Sequence, residues 1–328
     1  MVDTAADMLA AVAVRADRDD PLAALEVRRI PRPTPPEHWS VVDVRAASLN
    51  QHDLWSLRGV GLPAELLPMV LGTDGAGVTA DGREVVLHAV IGATGHGVGP
   101  DEPRSLLSER YPGTLAEQVA VPTWNLVPKP PELSFEEAAC LPTAWLTAYR
   151  MLFVAASLRP GDRVLVQGAG GGVATAAVRL GAAAGLEVVV TSRDGGRRER
   201  ALGLGAALAV EPGARLPFRV DAVVETVGQA TWAHSMRAVR PGGVVVVAGA
   251  TSGDQPGAEL ARVFFPEVRV VGVTMGAKED LEALLRFCAR SGVRPVVDSA
   301  APLSRVAEGL ARLASGEQFG KVVVTVPG

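Results

Sequence analysis

The stretch Val164-Leu165-Val166-Gln167-Gly168-Ala169-Gly170-Gly171-Gly172-Val173-Ala174 runs from a short apolar segment into a cluster of glycines. An alanine-rich segment at residues 176–184 follows, so the pattern predicts a strand, a tight turn and a helix N-terminus. Glycines permit the turn and let backbone N–H groups approach a pyrophosphate without a Cβ in the way. A second apolar segment at residues 187–191 completes a strand–helix–strand unit. A glycine-rich turn without function is the alternative, but this context favours dinucleotide binding.

The register of this turn is Ala169-x-Gly171-x-x-Ala174, a small-residue version of the dinucleotide-binding fingerprint. In such a turn the phosphates lie on the backbone of the glycine cluster and on the first residues of the helix. The sequence therefore predicts a set of cofactor-binding residues here: Gly168, Ala169, Gly171, Gly172 and Val173.

The composition excludes several classes of protein. The chain has 328 residues, enough for two domains, and a formal net charge of −4, which offers no basic surface to nucleic acid. Its two cysteines, Cys140 and Cys288, have no paired spacing, so neither a disulfide framework nor a thiolate zinc site is expected. No apolar run reaches the roughly 18 residues of a membrane span, and the N-terminal residues lack the basic start of a signal peptide. We therefore expect a cytoplasmic protein.

Two regions of different pattern divide the chain. Short alternating segments between Pro- and Gly-containing turns occupy residues 8–127 and predict a β-rich domain. From residue 128 to 272, helical patterns alternate with fully apolar segments, as in a parallel sheet with helices on both faces. The predicted strands of this sheet are residues 163–167, 187–191, 207–210, 222–225, 243–248 and 268–273.

Seven motifs in order carry a resemblance over nearly the whole chain. They are Ala47-Ser48-Leu49-Asn50-Gln51-His52-Asp53-Leu54-Trp55, Leu71-Gly72-Thr73-Asp74-Gly75-Ala76-Gly77, Leu146-Thr147-Ala148-Tyr149, the glycine turn, Glu225-Thr226-Val227-Gly228, Arg240-Pro241-Gly242-Gly243 and Phe319-Gly320-Lys321-Val322-Val323. With these motifs the chain resembles the medium-chain dehydrogenase/reductase superfamily, close to its zinc-independent quinone oxidoreductases and zinc-binding dehydrogenases. The resemblance implies an α/β fold with a GroES-like β-barrel catalytic domain at 1–127, completed by 273–328. It also implies a Rossmann domain with a doubly wound parallel sheet at 128–272, and an active cleft between the domains.

The resemblance also bears on metal binding. Alcohol dehydrogenases of this superfamily hold a catalytic zinc on Cys, His and Cys, and the matching positions here are Asn50, Thr73 and Thr143. Amide and hydroxyl groups are poor zinc ligands compared with thiolate and imidazole. The cysteines of the structural zinc lobe are also missing from residues 91–112, and His88 and His96 lack a third ligand. We therefore expect no metal.

The end of the second predicted strand indicates which nicotinamide cofactor binds. The sequence there is Val190-Thr191-Ser192-Arg193, without the acidic residue that bonds the ribose of NAD. Ser192 and Arg193 suit a 2′-phosphate, and Arg197 or Arg198 adds a second cation, so we expect NADPH. The alternatives are that Asp194 takes the acidic role, or that the arginines form a solvated helix start. The resemblance implies further cofactor contacts: Asn50, Thr147, Val227, Gly228, Gly249, Ala250, Phe265 and Lys321.

Four residues of the first motif are candidate catalytic residues. Asn50 and Asp53 match the family's Asn-x-x-Asp, Asn50 as a hydrogen-bond donor to nicotinamide or substrate and Asp53 as a brace for the loop. His52 stands where alcohol dehydrogenases keep the Ser or Thr of their proton relay, and a histidine there can donate a proton near neutral pH. Trp55 replaces a tyrosine of bacterial quinone reductases and can form an aromatic substrate wall. Purely structural roles remain the alternative for each.

Three functions fit these residues. The one we expect is an NADPH-dependent, zinc-independent reductase of an activated C=C bond or a quinone, because such acceptors need no Lewis acid. The others are a metal-free ketone or imine reductase of secondary metabolism, and an NADPH-binding module without turnover. We expect a small-molecule substrate and a homodimer paired through residues 268–273, with neither nucleic acid nor membrane as a partner.

Overall fold

The chain divides into two units in the computed structural model, which describes residues 7–92 and 104–327. The first unit comprises Met1–Thr143, Gly276–Arg290 and Val297–Gly328, and the second comprises Ala144–Met275 and Ser291–Val296. Residues 128–143, which the sequence placed with the second domain, thus belong to the first unit.

Strands provide most of the first unit and the centre of the second. Along the chain they are β1 (Asp7–Ala13), β2 (Leu25–Pro31), β3 (Trp39–Ser48), β4 (Met69–Val70), β5 (Asp74–Thr79), β6 (Glu84–Leu87), β7 (Val90–Gly92), β8 (Arg104–Leu106), β9 (Gln118–Pro122), β10 (Leu126–Pro128), β11 (Arg163–Val166), β12 (Glu187–Thr191), β13 (Leu208–Val210), β14 (Val220–Glu225), β15 (Val239–Val247), β16 (Arg269–Gly272), β17 (Val297–Pro302) and β18 (Lys321–Thr325).

Helices separate many of these strands. They are α1 (Gln51–Leu57), α2 (Phe135–Ala139), α3 (Leu146–Tyr149), α4 (Gly172–Ala183), α5 (Gly195–Gly203), α6 (Gln229–Ala238), α7 (Ala261–Phe264), α8 (Lys278–Ser291) and α9 (Val306–Ser315). Two π-helical stretches, Leu141–Trp145 and Arg150–Ala155, flank α3.

The main sheet of the first unit joins the two ends of the chain. Its strand order is β10-β6-β5-β3-β18-β17, and β9 also pairs with β3. The last strand, β18, is antiparallel to β3, with Val323 opposite Ser48. This pairing brings the start of β18 beside the end of β3, so Lys321 meets residues that lie more than 200 positions earlier in the sequence.

The second unit is built on six parallel strands in the order β13-β12-β11-β14-β15-β16. This is the order of a dinucleotide-binding fold, in which the ligand binds at the carboxyl ends of the two central strands. Apolar side chains of β11, β12 and β14 are fully buried, as the continuous apolar pattern of these strands predicts. The structure thus confirms the expected α/β class with a Rossmann-type sheet.

Some elements differ from the sequence prediction. The sequence predicts a strand at residues 295–297; in the structure the strand begins at Val297 and continues as β17 to Pro302. The strands that the sequence predicts in the first domain, at residues 10–16, 25–30, 40–46, 84–89 and 116–121, do not include β5, because its sequence, Asp-Gly-Ala-Gly-Val-Thr, has two glycines and no apolar alternation. Its Gly77 is required by packing, since a Cβ there would lie 2.2 Å from the carbonyl oxygen of Asp43. The sequence between residues 210 and 221 is short for the helix that resembling proteins usually have there, and in the structure residues 211–219, between β13 and β14, contain no helix.

Both cysteines, Cys140 and Cys288, are buried, and neither belongs to a disulfide bond. Burial raises the pKa of the Cys140 thiol to about 12. Within the described residues, no helix is long and apolar enough to cross a membrane.

Candidate active site

The ammonium group of Lys321 lies at the centre of a buried polar cluster in the first unit. The side chain is 2% exposed, and Nζ donates to the Leu49 carbonyl oxygen (2.8 Å), to Asn50 Oδ1 (2.5 Å) and to Asp74 Oδ2 (3.0 Å). An ammonium group has three protons, and each has an acceptor here. The resemblance implies for Lys321 either a cofactor contact or a role in closing the barrel, and the structure shows its protons donated to the protein's own acceptors.

Asp74 holds the other side of this cluster. Its Oδ2 accepts hydrogen bonds from the Ser48 hydroxyl (2.7 Å) and from Asn50 Nδ2 (2.8 Å), in addition to the Lys321 ammonium. Removing two charges from water is costly, so such a pair persists only when further hydrogen bonds surround it. The cluster therefore fixes the orientation of the Asn50 amide, with its oxygen toward Lys321 and its nitrogen toward Asp74.

The three positions that match the zinc ligands of alcohol dehydrogenases come together in the structure. Asn50 Nδ2 donates to Thr73 Oγ1 (3.2 Å), and Thr73 Oγ1 lies 3.1 Å from Thr143 Oγ1. These groups do not fit zinc, because they offer no thiolate or imidazole and Asn50 Oδ1 is already bonded to an ammonium. Nor do three His, Cys, Asp or Glu side chains converge anywhere in residues 7–92 and 104–327 as a metal site would need.

Asp53 lies in the first turn of α1 and is fully buried. Its carboxylate accepts the backbone N–H of Asn50 at 2.8 Å and that of Gly72 at 3.1 Å. Burial raises the pKa of this carboxyl, although the positive charges of His52 and Lys321 and the Asn50 hydrogen bond oppose the rise. Asp53 thus ties the start of α1 to the loop before Thr73.

His52 and Trp55 lie one turn apart on α1 but in different surroundings. His52 Nε2 lies 2.8 Å from Glu109 Oε1, a partner that the sequence analysis missed. The indole of Trp55 is 39% exposed, and the guanidinium of Arg58 lies 5.2 Å from its ring centroid. Trp55 is thus partly exposed and stacked against a guanidinium, while His52 is hydrogen-bonded to a carboxylate.

The glycine turn of the second unit has the geometry of a phosphate cradle. Gly168 adopts φ +87°, which favours glycine, and its N–H donates to the Thr191 hydroxyl at 3.1 Å. Helix α4 begins after Gly171 without a side-chain cap, so its first N–H groups are open to a ligand. A Cβ at Gly171 would meet no atom within 4 Å, which shows open space above the helix start.

The other predicted cofactor residues of this turn lie next to it: Ala169 is buried, and Gly172 and Val173 are the first residues of α4.

The charged residues that follow β12 make hydrogen bonds mainly with neighbouring backbone groups. Asp194 is the N-cap of α5, and its Oδ1 accepts the Arg197 N–H at 2.7 Å. The Arg198 guanidinium donates to the Ser192 carbonyl oxygen at 2.6 Å. Arg193 is exposed, and the Arg197 guanidinium packs on the glycine turn, 3.0 Å from where a Cβ of Gly170 would lie. The carboxylate of Asp194 is thus bound to helix backbone, and the Arg197 guanidinium lies beside the glycine turn.

A buried network connects this turn to the next one along the sheet. Gln167 Oε1 accepts the Thr191 hydroxyl, and its Nε2 donates to Ser235 Oγ at 3.0 Å. Ser235 donates in turn to Glu225 Oε2 at 2.6 Å, and Glu225 Oε1 accepts the N–H groups of Val227 and Gly228. Gln167 and Glu225 both lie in motifs of the sequence, but their part in this network could not be predicted, because it depends on contacts between residues that are far apart in the chain.

The remaining predicted cofactor residues lie in the second unit. Gly228 adopts φ +91°, and a Cβ there would lie 2.4 Å from the Gly253 carbonyl oxygen. Gly249 and Ala250 follow β15, Thr147 is buried in α3, and Phe265 is 79% exposed directly after α7. His96, considered above as a metal ligand, lies outside the described residues, whereas His88 is buried with its Nε2 2.8 Å from the Gly276 carbonyl oxygen.

Known proteins resemble the chain along most of its length. The family model "Zinc-binding dehydrogenase" matches residues 172–290, a region that contains none of the three zinc-ligand positions. Acryloyl-coenzyme A reductase of Metallosphaera sedula is 30% identical over 92% of this chain and 96% of its own. 2-Methylene-furan-3-one reductase of Solanum lycopersicum is 32% identical over 87% of this chain and 71% of its own. A crystal structure described as an NAD-dependent alcohol dehydrogenase is 34% identical, with a TM-score of 0.88, and the match covers 98% of this chain and 100% of that one.

The strand order and glycine turn of the second unit are those of a dinucleotide-binding fold, and the relatives are named as reductases and a dehydrogenase, so the chain is placed among the oxidoreductases. With these relatives, the chain belongs to the medium-chain dehydrogenase/reductase superfamily.

Proposed function

We propose that the protein is an NADPH-dependent, zinc-independent reductase that transfers hydride to an activated C=C bond or a quinone. The observation that carries the proposal is the Asn50–Thr73–Thr143 chain of hydrogen bonds at the zinc-ligand positions. Without a Lewis acid, the acceptor must itself stabilise the negative charge that hydride brings. Two relatives named as reductases of acryloyl-coenzyme A and of a 2-methylene-furan-3-one, both conjugated alkenes, support this acceptor class.

Thr143 is the residue we assign to the substrate oxygen. Because the Asn50 amide nitrogen donates to Thr73 Oγ1, the Thr73 hydroxyl is free to donate to Thr143. The Thr143 proton is then left for an acceptor outside the chain, and Thr143 is partly exposed. A hydroxyl oriented in this way before the reaction stabilises a developing enolate oxygen without reorganisation.

NADPH is the cofactor we assign to the glycine turn. A bound nicotinamide supplies the hydride; the chain's part is to hold the pyrophosphate on the uncapped start of α4. We assign Ser192, Arg193 and Arg197 to the 2′-phosphate of NADPH; the carboxylate of Asp194 accepts a helix N–H, which supports a cofactor with a phosphate here over one whose ribose needs an acidic partner.

The function is tested by following NADPH oxidation at 340 nm with a naphthoquinone, a cyclic enone, an enal, a crotonyl thioester and a simple ketone. We expect turnover of a quinone or conjugated alkene, unchanged by a metal chelator, and little turnover of the ketone. Turnover of the ketone alone would contradict the acceptor class, and loss of activity with chelator would contradict zinc independence. Inactivity with every acceptor, while NADPH still binds, would favour a non-catalytic module.

We further propose that β16 pairs with its counterpart in a second copy of the chain. This strand is the edge of the parallel sheet, and Val270 on it is 45% exposed. The nearby Phe264 and Phe265 are also exposed. An exposed apolar edge strand is a site for strand pairing. Light scattering after size exclusion is expected to give the mass of a dimer, and a monomer at micromolar concentration would contradict this.

A further inference from the structure

Glu225 is a fully buried carboxylate to which the protein directs several hydrogen-bond donors. Its Oε1 accepts the backbone N–H groups of Val227 at 2.8 Å and Gly228 at 2.9 Å, and both of its oxygens lie 2.9 Å from the Thr231 hydroxyl oxygen. The Ser235 hydroxyl donates to Oε2 at 2.6 Å. Glu225 thus holds the Val227–Gly228 turn with one oxygen and sets the direction of the Ser235 hydroxyl with the other.

The direction of the Ser235 hydroxyl determines which way the amide of Gln167 faces. Ser235 gives its only proton to Glu225, so it can only accept from Gln167, whose Nε2 lies 3.0 Å from Ser235 Oγ. The Gln167 oxygen then faces the Thr191 hydroxyl, which donates to it at 2.8 Å. The Thr191 oxygen in turn accepts the Gly168 N–H at 3.1 Å. These hydrogen bonds form one directed series from Gly168 to Glu225, which we call the Gly168–Glu225 chain.

His234 provides a second acceptor for the Gln167 amide nitrogen. Its Nδ1 lies 3.1 Å from Gln167 Nε2, and its own Nε2 lies 3.0 Å from the Ala214 carbonyl oxygen. Because a carbonyl oxygen only accepts, Nε2 carries the proton and Nδ1 is the acceptor of a neutral imidazole. Burial lowers the pKa of His234, and the hydrogen bond to Ala214 only partly offsets this, so the neutral form predominates at pH 7. A reversed Gln167 amide would place its oxygen against the unprotonated Nδ1.

The two turns that the Gly168–Glu225 chain connects lie side by side. Strands β11 and β14, which lead into them, are parallel neighbours, and a Cβ added at Gly168 would lie 3.8 Å from Val227 Cγ2. Groups that bind a ligand need to be held in their binding geometry beforehand, because ordering them on binding reduces the affinity. A shift of either turn would disrupt the hydrogen bonds that connect it to Glu225.

We propose that Glu225 is a positioning residue for the cofactor, and that it acts on the glycine turn through the Gly168–Glu225 chain. The inference rests on the proposed function, because it takes NADPH as the ligand of both turns. Glu225 holds the Val227–Gly228 turn directly and keeps the Gly168 N–H directed at Thr191. The uncapped N–H groups at the start of α4 are thereby held in place for the pyrophosphate.

The test is a double-variant cycle with Thr191→Val and Ser235→Ala, which break the Gly168–Glu225 chain at different hydrogen bonds. The dissociation constant of NADPH, measured by its fluorescence on binding and without any acceptor, should rise about tenfold in each variant. In the combined variant it should rise no further, because the second change acts on a chain that is already broken. Two independent packing effects would instead multiply to about 100-fold and would overturn the proposal.

Thr191→Ser is the matched control, because it keeps the hydroxyl and removes only a methyl group. Its affinity for NADPH should stay close to that of the wild type. An affinity as low as that of Thr191→Val would show that packing of the methyl group, and not the hydrogen bond to Gly168, is responsible for the loss.

Two NMR measurements test the Gly168–Glu225 chain without cofactor. In Ser235→Ala the Gly168 amide resonance should shift and its hydrogen exchange should become faster, although three hydrogen bonds separate the two residues. In the wild type, the ring nitrogen shifts of His234, assigned with His234→Gln, should show an unprotonated Nδ1 at neutral pH. An unchanged Gly168 amide or a protonated Nδ1 would refute the chain, whether or not NADPH binds.

The outcomes separate this inference from the proposed function. Losses that multiply in the double variant, with a wild type that binds NADPH and reduces a conjugated alkene, would refute the positioning role of Glu225 and leave the function standing. A wild type that does not bind NADPH would overturn the proposed function and the positioning role together.

Discussion

Lys321→Met is expected to lower the free energy of unfolding by about 3–5 kcal/mol, because it leaves the carboxylate of Asp74 buried without its cation. The same change removes the donor to Asn50 Oδ1 and so releases the amide that the cluster holds in place. Urea unfolding followed by circular dichroism measures the loss. Stability equal to that of the wild type would show that the ion pair does not form as described.

The double variant Asp74→Asn with Lys321→Met is the matched control for this prediction. Removing both charges leaves no buried ion, so much of the lost stability should return. Activity should not return with it, since the Asn50 amide still lacks its ammonium partner. A double variant no more stable than Lys321→Met alone would point to lost packing rather than an unpaired charge.

The double variant Arg193→Ala with Arg197→Ala is expected to lower kcat/KM for NADPH about 100-fold. A factor of 100 corresponds to about 2.7 kcal/mol, and one charge-assisted hydrogen bond to phosphate, worth roughly 1.5–3 kcal/mol, is enough to account for it. The effect should appear in KM, and kcat/KM for NADH should change little, because NADH lacks the 2′-phosphate.

Arg200→Ala is the control, since it removes one positive charge from the same helix, α5. It should leave the preference for NADPH unchanged. Equal losses for NADPH and NADH in the double variant would contradict the assignment of the two arginines to the 2′-phosphate.

The parallel sheet could be predicted from sequence because its strands are continuous in apolar character. The predicted strand at residues 187–191 coincides with β12, and its apolar side chains are buried. The strands of the first unit were harder to predict from sequence. Strands such as β5 and β17 contain few apolar residues and are stabilised by pairing with neighbouring strands. For such strands, pairing and not local propensity decides the structure.

The candidate site, like these strands, could be predicted from sequence only where the signal is local. The sequence identified Asn50 and His52 from a local motif, but their partners Lys321 and Glu109 are 271 and 57 residues away. No spacing rule connects such positions. The helix cap at Asp194 is different, because it depends on a local signal: aspartate is preferred at the start of a helix. The sequence alone could have shown this role, although we considered Asp194 there only for the cofactor ribose.

The burial of both cysteines affects how readily the proposed substrates could alkylate the protein. Quinones and conjugated alkenes alkylate thiolates, and the reactive form of a cysteine is the thiolate. With a pKa of about 12, Cys140 is ionised in only about one molecule in 10⁵ at pH 7, and neither thiol is exposed. With the function proposed above, neither cysteine would therefore present an exposed thiolate to an electrophilic substrate.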